Sequence, residues 1–298
     1  MACPSLAGVD LLAAAKCRTL HNGVQMPVIG LGTWRLRGDR LRSGVFGALN
    51  ERYGLIDSAA VYGNEEEIKQ LLKEAGNPRV FLTSKLQPGD AQGTEAVVKA
   101  FEQTIERLGV QQLDLYLIHW PGSGGVEAND QLNRRRRIES WRALEQLYEQ
   151  KKVRAIGVSN FMVPHLEQLM EDGAKIRPMV NQIEWHPMCW VPDLIPYAEK
   201  HNIVLQAYSS LGSGETRLLD HDVVKQIAKE INQPPSVVLL RWPLQQGLLV
   251  IPCSTSQEHL KENLAALDVQ LSEDQMKRLC AIRDTVKHRF CWDPNTIA

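Results

Sequence analysis

Asp57, Tyr62, Lys85 and His119 supply a carboxyl, a phenol, an amine and an imidazole, groups that hold and pass protons. Three of them close short apolar runs. Asp57 ends Leu55-Ile56, Lys85 ends a run from Val80 to Ser84, and His119 ends a run from Leu113 to Ile118. Tyr62 follows Asp57 by five positions, on the loop leaving that first run. Continuous apolar runs of this length read as strands buried on both faces, the habit of parallel sheets. Parallel strands deliver their C-terminal ends to one side, so the four groups are expected to meet there. Their meeting makes catalysis the first reading. Singly each has a plainer one: a tyrosine that packs, a structural Asp–Lys pair, a histidine that satisfies nearby backbone.

Strand-like and helix-like segments alternate along the chain. Strands are predicted near 28–32, 54–57, 79–84, 113–119, 153–157, 179–182, 203–208 and 248–251. Helices are predicted near 40–50, 64–74, 94–108, 138–151, 163–171, 192–201, 220–231 and 257–265. In the seventh helix Val223, Val224, Ile227 and Ile231 share a face, and Asp220 or Asp222 can cap its start. Two further helices are expected, one over about 235–246 and one opened by the capping box Ser272-x-x-Gln275. Asn22-Gly23, between Thr19-Leu20 and Met26 to Ile29, signals an N-terminal hairpin that would plug the bottom of a barrel. Eight alternations favour a closed α/β barrel, (β/α)8, over a doubly wound sheet. The 298 residues exceed the ~250 typical of such a barrel, and no Pro/Gly/Ser-rich linker divides them. The expected organisation is one barrel domain over 1–298, with 1–16 a candidate flexible segment.

Composition narrows the partners. The 34 basic and 35 acidic side chains give no reason to expect a nucleic-acid or membrane partner. Six scattered cysteines, without signal peptide or paired metal spacing, suggest reduced thiols and a cytoplasmic location. No apolar run reaches the ~18 residues of a membrane span. His165 and His186 lie at no metal-ligand spacing, so no metal is expected. Arg134 to Arg137 reads as a solvated loop or helix start, with an anion or partner site as the alternative.

Several segments carry a resemblance to the aldo-keto reductase family over nearly the whole chain. They are Gly30-Leu-Gly-Thr-Trp34, Ile56-Asp-Ser-Ala-Ala-Val-Tyr-Gly-Asn-Glu65, Leu82-Thr-Ser-Lys85, Leu113-Asp-Leu-Tyr-Leu-Ile-His-Trp-Pro121, Val153-Arg-Ala-Ile-Gly-Val-Ser-Asn-Phe161 and Asn181-Gln-Ile-Glu-Trp-His-Pro187. The resemblance implies a TIM barrel that reduces aldehydes and ketones with NADPH, Tyr62 acting as general acid. Chemistry favours that role independently, because hydride delivery to a carbonyl carbon leaves negative charge on oxygen and calls for a proton donor. A phenol of pKa ~10 donates poorly near neutral pH, and a Lys85 ammonium beside it is expected to lower that value. Asp57 would hold Lys85 charged, and His119 would orient the substrate oxygen.

The same resemblance assigns the cofactor contacts. Ser159, Asn160 and Gln182 would hold the nicotinamide carboxamide, and Tyr208 would stack on its ring. Gly32, Thr33, Trp34 and Asp57 would line the cofactor, and Ser209, Leu211 and Ser213 would flank the pyrophosphate. No Gly-x-Gly-x-x-Gly opens a βαβ unit, which excludes a Rossmann reading. At the adenine end Ser254, Thr255, Glu262 and Asn263 match the family, but Cys253 and His259 stand where Lys and Arg usually clamp a 2′-phosphate. NADH therefore stands as the alternative cofactor. Trp34, Tyr62, His119, Trp120 and Trp292 would wall the pocket for a small-molecule carbonyl, with Trp185 a further candidate. A monomer is the default assembly. Two rival functions stay open: a barrel-fold regulatory or redox-sensing subunit with residual reductase activity, and an aldolase-like enzyme using Lys85 as a Schiff base.

Overall fold

The computed structural model describes residues 6 and 9–298, so 1–5, 7 and 8 of the candidate flexible segment lie outside the described residues. Within that segment Leu11–Ala14 form a short helix, α1, which Leu11 anchors in the core. Next come two short antiparallel strands, β1 (Cys17–Thr19) and β2 (Gln25–Pro27), with Thr19 opposite Gln25. The expected hairpin is present, with a loop over residues 20–24. Asn22 accepts from Val24 N–H at 3.2 Å and donates to the Arg154 carbonyl at 2.9 Å. That second bond, with others to Arg177 and Gly247, lays the hairpin across the N-terminal ends of the barrel strands.

Eight parallel strands follow. They are β3 (Leu31–Gly32), β4 (Leu55–Asp57), β5 (Phe81–Leu86), β6 (Leu113–Ile118), β7 (Val153–Ser159), β8 (Val180–Glu184), β9 (Val204–Tyr208) and β10 (Leu249–Val250). Each pairs in parallel with its sequence neighbour from β3 to β10. A parallel bridge between Ile29 and Val250 joins the two outer strands, with Gly30 N–H on Val250 O and Gly32 N–H on Pro252 O, both at 3.0 Å. The sheet is thus a (β/α)8 barrel. Glycine is required at the seam, because a Cβ on Gly32 would lie 2.7 Å from the Ile251 carbonyl oxygen.

The helices are α2 (Gly38–Asn50), α3 (Glu65–Glu74), α4 (Thr94–Leu108), α5 (Leu132–Glu149), α6 (Val163–Glu171), α7 (Leu194–Lys200), α8 (Asp222–Glu230), α9 (Pro235–Gln245), α10 (Gln257–Ala265) and α11 (Glu273–Thr285). The Ser272–Gln275 capping box forms as expected. Two expectations need correction. The cap of α8 is His221, whose Nδ1 accepts from Val223 N–H at 3.3 Å, while Asp220 is drawn to Lys225 at 2.8 Å. Helix α5 begins at Leu132, so Arg134 to Arg137 form part of its first two turns. Arg134 grips both Asp172 oxygens, at 2.8 and 2.7 Å, and Arg137 is buried against the carbonyl of Ala298. Among the described residues no helix is long and apolar enough to cross a membrane, and the five cysteines are free.

Candidate active site

The four proton-handling groups meet at the C-terminal mouth of the barrel. Asp57 ends β4, and a 3-10 turn over Ala60–Tyr62, closed by the left-handed Gly63, brings Tyr62 back to it. Buried Asn64 fixes that turn. It accepts from Ser58 Oγ at 2.7 Å and donates to the carbonyls of Thr33 and Leu36 at 3.0 and 3.2 Å. Lys85, fully buried on β5, donates to Asp57 Oδ1 at 2.5 Å, to Ser58 O at 2.8 Å and to the Tyr62 hydroxyl at 3.4 Å. Its three N–H groups are all spent. His119 follows β6, and its ring stands edge-on to Tyr62 with centroids 5.8 Å apart.

Burial sets the protonation states. It pushes the Asp57 carboxyl up and the Lys85 ammonium down, and each partner pulls the other back. The Tyr62 phenol is pushed well above its ordinary value, by burial first and by Asp57 next. This corrects the expectation that Lys85 lowers it. The ammonium charge is already answered by a carboxylate at 2.5 Å, so desolvation of the phenol wins. Burial, then the Lys85 charge, holds His119 well below its ordinary value, so the imidazole is neutral. Its Nδ1 is buried without a partner, leaving Nε2 to face the mouth. An orphaned N–H being rarer than an orphaned lone pair, the proton belongs on Nε2.

The residues expected around a nicotinamide join the same network. Asn160, at φ 65°, donates to His119 O at 2.9 Å and to Ser159 Oγ at 3.1 Å, and accepts from the Tyr208 hydroxyl at 2.6 Å. Ser159 Oγ donates to Gln182 O at 2.8 Å, and Gln182 Nε2 donates to Asp57 Oδ2 at 2.8 Å. Beyond β9 the loop turns left-handed at Ser209, Gly212, Ser213 and Gly214. Ser209 and Ser213 join hydroxyls at 2.6 Å, and Leu211 packs on the core. Left-handed stretches of this kind point backbone N–H groups into an anion-sized concavity. A carboxamide needs donors and acceptors and a pyrophosphate needs N–H groups, so the residues present fit a nicotinamide dinucleotide.

The adenine-end residues lie on one segment entering α10. Ser256 caps that helix, accepting from His259 N–H at 3.4 Å, and Ser254 Oγ accepts from Ser256 N–H at 3.1 Å. Thr255 and Glu262 are half-buried, His259 is exposed and Asn263 is buried. The Cys253 thiol reaches only to the Trp34 carbonyl, at 3.9 Å. Gly32, Thr33 and Trp34 leave the barrel seam beside it.

Aromatic rings rim the mouth. Trp34 is 37% exposed beneath the Arg35 guanidinium, and half-buried Trp120 leans on Trp292, which is 72% exposed, at 5.5 Å. Trp185 does not join them. It is fully buried against Trp190 and Trp242, at 6.1 and 6.4 Å, a core position. Glu184, for which no role was expected, moors the tail that carries Trp292. Its carboxylate accepts from the N–H groups of Phe290 at 2.5 Å and Cys291 at 3.3 Å, and pairs with Arg289 and His186. Cys189 completes a buried group with Glu184 and His186, ligand atoms within 4.8 Å, whose carboxylate is committed to the tail.

A parallel barrel carrying a buried Asp–Lys pair, a protonated phenol and a neutral imidazole at its C-terminal mouth defines a class of carbonyl-handling enzyme. Residues 28–284 match the model of the Aldo/keto reductase family. The chain is 43% identical to a 9,11-endoperoxide prostaglandin H2 reductase of Trypanosoma cruzi, covering 89% of this chain and 90% of that one. It is also 43% identical to a glyoxal reductase of Bacillus subtilis, over 88% and 91% of the two chains. Among solved structures it superposes on a mutant of Gox0644 in complex with NADPH, with TM-score 0.83, 36% identity and 95% and 99% coverage. An aldo-keto reductase from a Medee basin deep-sea metagenome library gives TM-score 0.83 at 39% identity, over 92% and 97%. The chain belongs to the aldo/keto reductase family.

Proposed function

We propose that the protein reduces aldehydes and ketones to alcohols with NADPH, Tyr62 giving the proton. The observation that carries this is Lys85 Nζ bound at once to Asp57 and to the Tyr62 hydroxyl, beside a neutral His119. His119 Nε2–H and the Tyr62 hydroxyl donate to the carbonyl oxygen and orient it, and NADPH, when bound, would supply the hydride for the carbonyl carbon. As charge grows on that oxygen the phenol proton moves to it, and the Lys85 ammonium at 3.4 Å stabilises the phenolate left behind. Asp57 keeps Lys85 charged throughout. A phenol is protonated near neutral pH, so the proton is in place before reaction, and its release rests on the Lys85 ammonium stabilising the phenolate. Ser159, Asn160 and Gln182 would hold the carboxamide, Tyr208 the ring, and the 209–214 loop the pyrophosphate. The enzyme would act in the cytosol as a monomer, with no nucleic-acid or membrane partner. Assay of NADPH and NADH oxidation against a panel of carbonyls tests the reading, and no turnover with either would reject it.

Cofactor choice should answer to the charge at position 259. A 2′-phosphate brings about −1.5 to −2 charges, which an arginine would meet fully charged and bidentately. His259→Arg should therefore enlarge the NADPH advantage over NADH. Dissociation constants for both cofactors in the two proteins decide this. An NADPH preference that is strong in the unaltered protein and no larger in His259→Arg would assign the phosphate to other cations.

The rim sets substrate size. Relatives named for glyoxal and for a prostaglandin endoperoxide differ widely in bulk. Trp120→Ala removes an apolar wall next to His119 and the support under Trp292. KM should rise at least ~10-fold for bulky aromatic aldehydes, the order expected for losing an aromatic contact, and little for short ones. Equal effects on both would make Trp120 a structural residue.

A further inference from the structure

A chain of side chains crosses the barrel below the mouth and ends on a residue that neither the sequence reading nor the proposed mechanism uses. Gln206, on β9, is fully buried and lies in register with Gln182 on β8. Gln182 Nε2 donates to Asp57 Oδ2 and to Gln206 Oε1, both at 2.8 Å. Asp57 dictates both amide orientations. A carboxylate paired with Lys85 only accepts, so Gln182 must turn Nε2 toward it. The second N–H of that nitrogen needs its own acceptor, which Gln206 presents as Oε1. Gln182 Oε1 is thereby turned away from Asp57 with no protein hydrogen bond. Gln206 Nε2 is left buried with no partner. Gln206 Nε2 is thus a buried donor carried at a cost in stability, and what glutamine supplies here is the Oε1 acceptor that Gln182 Nε2 needs. Packing therefore does not account for glutamine at this position.

We infer that Gln206 is a positioning residue for the nicotinamide: it locks Gln182 with Oε1 presented to the carboxamide N–H, and so ties the nicotinamide seat to the Asp57–Lys85 pair. The inference rests on the NADPH reading above. Ser159, beside Gln182 on β7, completes that seat, and Gln206 touches neither cofactor nor substrate. Its effect passes wholly through Gln182.

Calorimetric titration of NADPH and of 2′,5′-ADP, which lacks the nicotinamide, separates this role from a structural one. Gln206→Met and Gln206→Leu should weaken NADPH roughly 5- to 10-fold, the scale of one net hydrogen bond. They should leave 2′,5′-ADP affinity unchanged and lower the melting temperature by no more than the loss of one buried acceptor costs. In a Gln182→Met background, Gln206→Met should add nothing further. Unaltered NADPH affinity, equal weakening of both ligands, additive losses with Gln182→Met, or apolar variants that fail to fold would each overturn the inference. An unaltered protein that binds neither ligand would instead reject the NADPH reading, and the inference with it.

Discussion

Tyr62→Phe should retain NADPH binding and lose roughly 10²- to 10⁴-fold in kcat, the usual contribution of a general acid. The substitution removes one oxygen and nothing else from the rim. The turn that presents residue 62 is fixed by Asn64 and Ser58, so a phenylalanine takes the same place. What disappears is the hydroxyl that accepts from Lys85 Nζ at the mouth. His119 Nε2–H still orients the carbonyl oxygen, so KM should change far less than kcat. Steady-state kinetics with cofactor affinity measured in parallel check this. Near-normal turnover on aldehydes would show that the proton comes from elsewhere.

Lys85→Met should lower kcat by a similar order and, more tellingly, change its pH profile. Carbonyl reduction needs Lys85 charged to stabilise the departing phenolate. Burial lowers this ammonium from its ordinary 10.5, so the alkaline fall in kcat should set in below that value. Charge is present below the limb and lost above it, and the methionine variant should lack the limb altogether. Removing Lys85 also leaves Asp57 buried beside Gln182 alone, where burial drives it to take up a proton. An Asp57→Asn, Lys85→Met double variant removes that orphaned carboxyl. Activity that stays low in a double variant of normal melting temperature is a chemical loss. A parental pH profile in Lys85→Met would show that Lys85 does not act on the phenol.

Much of this site was legible because its residues end strands, and strand ends are marked by apolar runs. Asp57, Lys85 and His119 were placed by that signal, and Ser159, Asn160, Gln182 and Tyr208 by motifs on three later strands. The protonation of Tyr62 was not legible. Its direction depends on how far burial outweighs an ammonium already paired with Asp57, and both are tertiary facts. The tail was hidden for a related reason, since Glu184 bonds residues 106 and 107 positions away. Trp185 sits one residue beyond Glu184, and side-chain alternation sends it to Trp242 in the core rather than to the mouth. That parity was readable. So was Gln206, a polar residue two positions before Tyr208 and therefore on the same face of β9, where an apolar one would be expected. The α8 cap went astray because Asp220 bonds Lys225 in place of a local N–H.

Transfer of deuterium from NADPH labelled at C4 of the dihydronicotinamide ring tests the proposed chemistry most directly. Single turnover of a simple aldehyde by the unaltered protein should yield a primary alcohol with one deuterium on the carbinol carbon and one solvent-derived hydroxyl proton, read by mass spectrometry. Tyr62→Phe, carrying the same bound cofactor, should form that product at least ~10²-fold more slowly. Cofactor oxidation without label in the alcohol, or equal rates in the two proteins, would contradict the proposed hydride and proton transfer.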